Sequence, residues 1–111
     1  MIEQVRPADW DEWLQAQAAR PLVLDVREPW EVRTASVAAE GFDLLAVPMN
    51  EVPARLAELP ADRPIACLCH HGMRSQHVAL FLAQRGYTDV VNIAGGIDAW
   101  SREHDSIVAR Y

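Results

Sequence analysis

The chain has 111 residues, half of them hydrophobic, and a formal net charge of −6. That is material for one domain spanning residues 1–111 and too little for two, and a surface of that sign repels nucleic-acid phosphate and anionic lipid. All ten basic side chains are arginine, so lysine Schiff-base chemistry is excluded; no run approaches the roughly 20 apolar residues of a membrane span, and the acidic start Met1-Ile2-Glu3-Gln4 lacks a signal-peptide pattern, so a cytoplasmic protein is expected.

Short apolar runs alternate with helical patterns, which is the signature of an α/β fold. Residues 2–5 read as a first strand. Asp9 is placed to cap a helix with Trp10, Trp13, Leu14 and Ala18 on one face. Residues 22–26 form an uninterrupted apolar strand of the kind buried on both faces, and residues 28–32 read as a short helix. Residues 34–46 carry no clear period, and a brief strand is expected at 46–48. Asn50 is placed to cap a helix carrying Val52, Leu56 and Leu59, with Pro53 in its first turn and Pro60 closing it. Residues 65–69 are the next buried strand, followed by a tight turn at 70–74 and a helix over 75–85 that packs Val78, Phe81 and Leu82 inward and stops at Gly86. Residues 90–93 form a last strand, and Gly95-Gly96 breaks the chain before a final helix through Trp100. The handedness of strand–helix–strand units makes the sheet of about five strands mostly parallel.

Cys67 and Cys69 are two positions apart, too close to staple a fold, and read as reduced thiols. Cys67 reads as a small core residue. Cys69 stands at the carboxyl end of a buried strand, before a tight loop and a helix start, which is where open α/β sheets place their ligand sites. Backbone N–H groups of such a loop converge into an anion nest, and the helix dipole adds positive potential; both favour a thiolate. His70, His71 and Arg74 add positive charge, and Gly72 supplies the positive φ that so short a loop needs. The fork of Arg74 is expected to fix the loop by bonding loop carbonyls or a carboxylate, Asp25 or Glu28. The four tryptophans, at 10, 13, 30 and 100, read as core or rim packing. Cys67, Cys69, His70 and His71 sit too close together on one strand and turn to surround a tetrahedral ion, so no metal is expected.

The segment Cys69-His70-His71-Gly72-Met73-Arg74-Ser75 resembles the active-site loop of rhodanese-like sulfurtransferases. Asp25-Val26-Arg27-Glu28 is similar to that family's Asp-x-Arg segment, and Gly95-Gly96-Ile97-Asp98-Ala99-Trp100 to its Gly-Gly-x-x-x-Trp ending. Residues 34–46 depart from the Gly-His-Ile-x-Gly-Ala-like segment usual there. The resemblance implies a three-layer α/β/α rhodanese-like fold. It implies sulfur transfer through a persulfide on Cys69, from thiosulfate or a related small anionic donor to cyanide, a thiol or a protein acceptor, with no cofactor. His70 to Ser75 would bind the substrate, and Asp25 and Arg27 would support them. Related phosphatases and arsenate reductases have a longer loop between cysteine and arginine, whereas four residues separate Cys69 from Arg74 here. A non-catalytic binding module on the same fold is the other reading, and retention of the cysteine argues against it.

Overall fold

Five strands pair into a single sheet in the computed structural model, which describes all of residues 1–111. The strands are β1 (Glu3–Val5), β2 (Leu22–Asp25), β3 (Asp43–Ala46), β4 (Ile65–Leu68) and β5 (Val90–Ile93). Their order across the sheet is β1-β5-β4-β2-β3, and every pairing is parallel. Four α-helices cover it: α1 (Trp10–Gln15), α2 (Pro29–Thr34), α3 (Met73–Gln84) and α4 (Gly96–Glu103). β2, β4 and β5 are buried along their whole length, as continuous apolar runs require in a sheet covered on both sides.

The two-residue period of the strands divides the core. Leu24, Ile65, Cys67, Cys69 and Val90 face Val78, Ala79 and Leu82 of α3. Val23, Ala66, Leu68, Val91 and Ile93 face the opposite layer, where Trp10, Phe42, Ile97 and Trp100 pack. Trp10 anchors that layer, with ring centroids 4.9 Å from Trp13, 5.1 Å from Trp100 and 5.5 Å from Phe42. The three-layer α/β architecture with a parallel five-stranded sheet is therefore as expected.

Several boundaries differ from the sequence reading. α3 begins at Met73, so Met73 and Arg74 form its first turn. α1 closes at Gln15, which leaves Ala18 outside it. The Asp9 side chain makes no capping bond, because a 3-10 turn at Pro7–Asp9 runs straight into the helix and the Trp10 N–H already bonds the Pro7 carbonyl. β3 starts earlier than expected, at Asp43, and its register with β2 runs from Asp43 opposite Leu22 to Ala46 opposite Asp25. The helix expected after Asn50 is replaced by two 3-10 turns, Met49–Glu51 and Leu56–Glu58. Pro53 has no N–H to offer the Met49 carbonyl, which instead accepts from Val52 at 3.3 Å in the tighter pattern. Trp30 lies on the rim, 57% exposed, edge-on to Tyr111.

Candidate active site

β4 ends at Leu68 and delivers Cys69 to the carboxyl edge of the sheet, 1% exposed, on the face covered by α3. The chain then reverses through His70, His71 and Gly72, whose φ of +103° is the left-handed region that Gly occupies without strain. This reversal folds the Gly72 N–H back to the Cys69 Sγ at 3.1 Å. The Ser75 hydroxyl lies 3.2 Å from the same sulfur. The N–H groups of His71, Met73, Arg74 and Ser75 donate to no acceptor in the protein. They belong to the loop after Cys69 and to the first turn of the twelve-residue α3, where free N–H groups and the helix dipole favour negative charge.

The loop is clamped from outside by the start of α4. Ile97 N–H donates to the Cys69 carbonyl at 2.8 Å and Asp98 N–H to the His70 carbonyl at 3.1 Å. Such contact requires bare backbone at Gly96, where a Cβ would collide with both carbonyl oxygens. The Gly-Gly segment thus serves as the docking surface for the cysteine loop as well as a chain break.

The loop is held on its other flank by ion pairs. Arg74 forms a bidentate pair with Glu31, Nη1 to Oε2 at 2.8 Å and Nη2 to Oε1 at 2.9 Å. Asp25 and Glu28 were the expected partners, and the structure corrects both. The Asp25 carboxylate is occupied by Arg27, at 2.9 Å from Nε and 2.7 Å from Nη2. Glu31 turns back to the start of α2 and accepts the Glu28 N–H at 2.9 Å, which aims its carboxylate at Arg74. The Arg74 guanidinium holds the Glu31 carboxyl down to about 2, aided by the Glu28 N–H and the Tyr111 hydroxyl and opposed by burial.

Arg27 is fully buried, and its remaining N–H groups reach the Glu31 and Ala35 carbonyls at 3.2 and 2.8 Å and the Tyr111 hydroxyl at 2.9 Å. Residues 34–46, which depart from the usual pattern, thus contribute the Ala35 carbonyl to this network. Tyr111 also donates its hydroxyl to Glu31 Oε1 at 2.9 Å and stacks its ring on His70 at 3.9 Å. His70 in turn stacks on His71 at 3.9 Å, and its Nε2 lies 2.9 Å from the Tyr111 carbonyl.

Of the residues singled out in the sequence, Cys69, Gly72 and Ser75 meet at the sulfur. Arg74 is turned to the flank, His71 and Met73 point outward, and His70 joins the aromatic stack. Asp25 and Arg27 are a buried pair at the end of β2. Cys67 lies on the same face one pleat deeper, and burial pushes its thiol far up. Sequence reasoning missed Glu31, Asn92 and Tyr111. A polar residue inside the run Val90–Ile93 was the one available signal for Asn92; Tyr111 carried none.

The parallel sheet of this order places a cysteine, contacted by the Gly72 N–H and the Ser75 hydroxyl, just past the carboxyl end of its central strand. Comparison with known proteins places the domain: the Rhodanese-like domain family matches residues 9–103, and the chain belongs to that family. It is 39% identical over 88 residues to a sulfurtransferase of Allochromatium vinosum, covering 79% of this chain and 78% of that one. A rhodanese-related protein of Thermoplasma volcanium superposes with a TM-score of 0.76 at 34% identity, covering 91% and 92% of the two chains. The chain is also 28% identical over 109 residues to a probable adenylyltransferase/sulfurtransferase MoeZ of Mycobacterium tuberculosis. It covers 96% of this chain but spans only 26% of that protein.

Proposed function

We propose that the chain is a sulfurtransferase that carries sulfane sulfur as a persulfide on Cys69, within one rhodanese-like domain of residues 1–111. The observation that carries this reading is the cradle at Cys69: Gly72 N–H on the sulfur, Ser75 beside it, and four neighbouring N–H groups without acceptors. The Cys69 thiolate attacks the outer sulfur of thiosulfate or a related donor. The donor's S–S bond breaks, sulfite leaves with its electron pair, and the new outer sulfur rests as an anion among the N–H groups. A cyanide or thiolate acceptor then attacks that sulfur, and the second S–S cleavage restores the Cys69 thiolate. Residues His70 to Ser75 form the substrate loop, and Asp25 and Arg27 support it from beneath.

The closed fork of Arg74 favours sulfur over phosphate. A phosphate cradle needs an arginine fork directed at the anion, whereas both terminal nitrogens of Arg74 bond Glu31. No helix is long and apolar enough to cross a membrane, and two free cysteines suit a reducing, cytoplasmic setting. The naming of the A. vinosum relative supports the same activity. A small anionic donor and a thiol or protein acceptor are the proposed partners, with no cofactor.

Replacing Cys69→Ser is expected to abolish thiosulfate-dependent thiocyanate formation, whereas Cys67→Ser leaves most of it. Intact-protein mass spectrometry of the thiosulfate-treated chain should show one added sulfur atom on Cys69, removed by cyanide. Equal loss in both variants, or no adduct, would sink the mechanism.

A further inference from the structure

The Ser75 hydroxyl has two neighbours and a single hydrogen. Its Oγ lies 2.6 Å from Asn92 Oδ1 and 3.2 Å from Cys69 Sγ. The orientation of the Asn92 amide is dictated by its other contacts. Its Nδ2 faces the Gly72 carbonyl at 3.1 Å, a group that can only accept, and the Gln4 Oε1 at 2.9 Å. Oδ1 therefore faces Ser75, and two oxygens 2.6 Å apart require a hydrogen between them. With a protonated Cys69, the hydroxyl points at Asn92 and receives the thiol hydrogen on its lone pair. Once the sulfur is charged, the hydroxyl hydrogen can reach it only by leaving Asn92.

We propose that Asn92 is a positioning residue that competes with the Cys69 sulfur for the Ser75 hydrogen and so tunes the nucleophile. Asn92 is 2% exposed on β5 and paired with Cys67 across the sheet. An unshared hydrogen on Ser75 would favour the thiolate while dampening its attack, because a stabilised thiolate is a weaker nucleophile. Competition from Asn92 limits how far that hydrogen is given to the thiolate. In the persulfide the charge moves to the outer sulfur, Cys69 Sγ becomes a neutral bridging atom, and the hydrogen returns to Asn92. No proton leaves Ser75 at any stage; the hydroxyl rotates. This last step rests on the sulfurtransferase reading, whereas the competition itself does not.

The titratable and charged groups nearest the sulfur and Asn92 are Cys67 on its own strand, His70 and His71 in the loop, and Arg74 and His77 of α3. Beyond them lie the Asp25–Arg27 pair after β2, Glu31 of α2, Asp98 of α4 and Tyr111. β1 and β5 present only the neutral amides of Gln4 and Asn92. A double-mutant cycle removes the shared influence of these groups. The thiolate is titrated by ultraviolet absorbance and by the pH dependence of iodoacetamide alkylation in the full chain. The set is the unaltered protein, Asn92→Leu, Ser75→Ala and the double variant.

Asn92→Leu is expected to move the titration midpoint about half a pH unit lower in the presence of Ser75 than it does in the Ser75→Ala background, the scale of one neutral hydrogen bond. An equal shift in both backgrounds, or a difference of the opposite sign, overturns the proposal. Should Asn92→Leu fail to fold, Asn92→Ala is titrated in the same two backgrounds with the same expectation. The coupling present in a protein that makes no thiocyanate would leave this inference standing and remove the sulfurtransferase reading. Normal thiocyanate formation without the coupling would do the reverse.

Discussion

Arg27 carries five N–H groups, and the structure engages all of them: Asp25 at Nε and Nη2, Glu31 and Tyr111 at Nη1, and Ala35 at Nη2. A fully buried guanidinium is tolerated only with that degree of satisfaction. Glu31 is the matching acceptor, receiving Arg74 twice, the Glu28 N–H and the Tyr111 hydroxyl. Replacing Glu31→Gln leaves the Arg74 fork against a neutral amide. Because Arg74 keeps a third of its side chain in solvent, the expected loss is about 2 kcal/mol, below that of a fully buried pair. Urea denaturation measures it, and thiocyanate formation should fall with it as the loop loosens. Unchanged stability would show that the pair contributes nothing. The Asp-x-Arg segment was recognisable in the sequence, but its ion-pair partners were not. Asp25 and Glu28 were the carboxylates nearest in the motif, and only the turn of Glu31 back to its own helix start reveals the one that faces Arg74.

At the scale of elements, the site is a junction of β4, the start of α3 and the start of α4. Gly96 has a φ of +63° and no room for a Cβ against the Cys69 and His70 carbonyls. Gly96→Ala is therefore expected to cost about 2 kcal/mol or more through strain and loop displacement. Its effect on sulfur transfer should exceed that of Gly86→Ala, where a Cβ meets nothing within 4 Å and only the φ of +94° is strained. Equal activity in the two variants would contradict a docking role for Gly96. The buried strands were legible from their nearly continuous apolar runs, and α3 from Val78, Phe81 and Leu82 followed by the stop at Gly86. The segment after Asn50 was not, since its apolar spacing fits a helix while the missing N–H of Pro53 tips the backbone into 3-10 turns. Cys69, Gly72 and Ser75 were legible because adjacent residues make that part of the cradle. Asn92 and Tyr111 come from 17 or more positions away, and pairing at that range leaves no local pattern.

For the whole molecule, acid stability should hinge on the loop's flank. The Glu31 carboxyl lies at about 2 against an ordinary 4.5, so the folded chain binds that proton less readily than the unfolded one. The resulting stability, about 2 kcal/mol once Arg74's exposure is allowed for, is present above pH 4.5 and is lost as pH falls towards 2. Unfolding followed by circular dichroism should show this loss, and Glu31→Gln should flatten the profile over the same window. An identical acid profile in that variant would assign the loss to other carboxylates.

The hold of α4 on the cysteine loop has a further consequence during synthesis. A nascent chain halted after Ala94 contains Cys69, Arg74 and nearly the whole sheet. It lacks the Ile97 and Asp98 amides that seat the Cys69 and His70 carbonyls. It also has only just acquired β5, the sole partner of β1 and the carrier of Asn92. Gly72 and Ser75, which touch the sulfur, are translated with it, whereas the amides that clamp the loop carbonyls follow only with the final helix. On the proposed mechanism, full sulfur transfer would therefore await that helix.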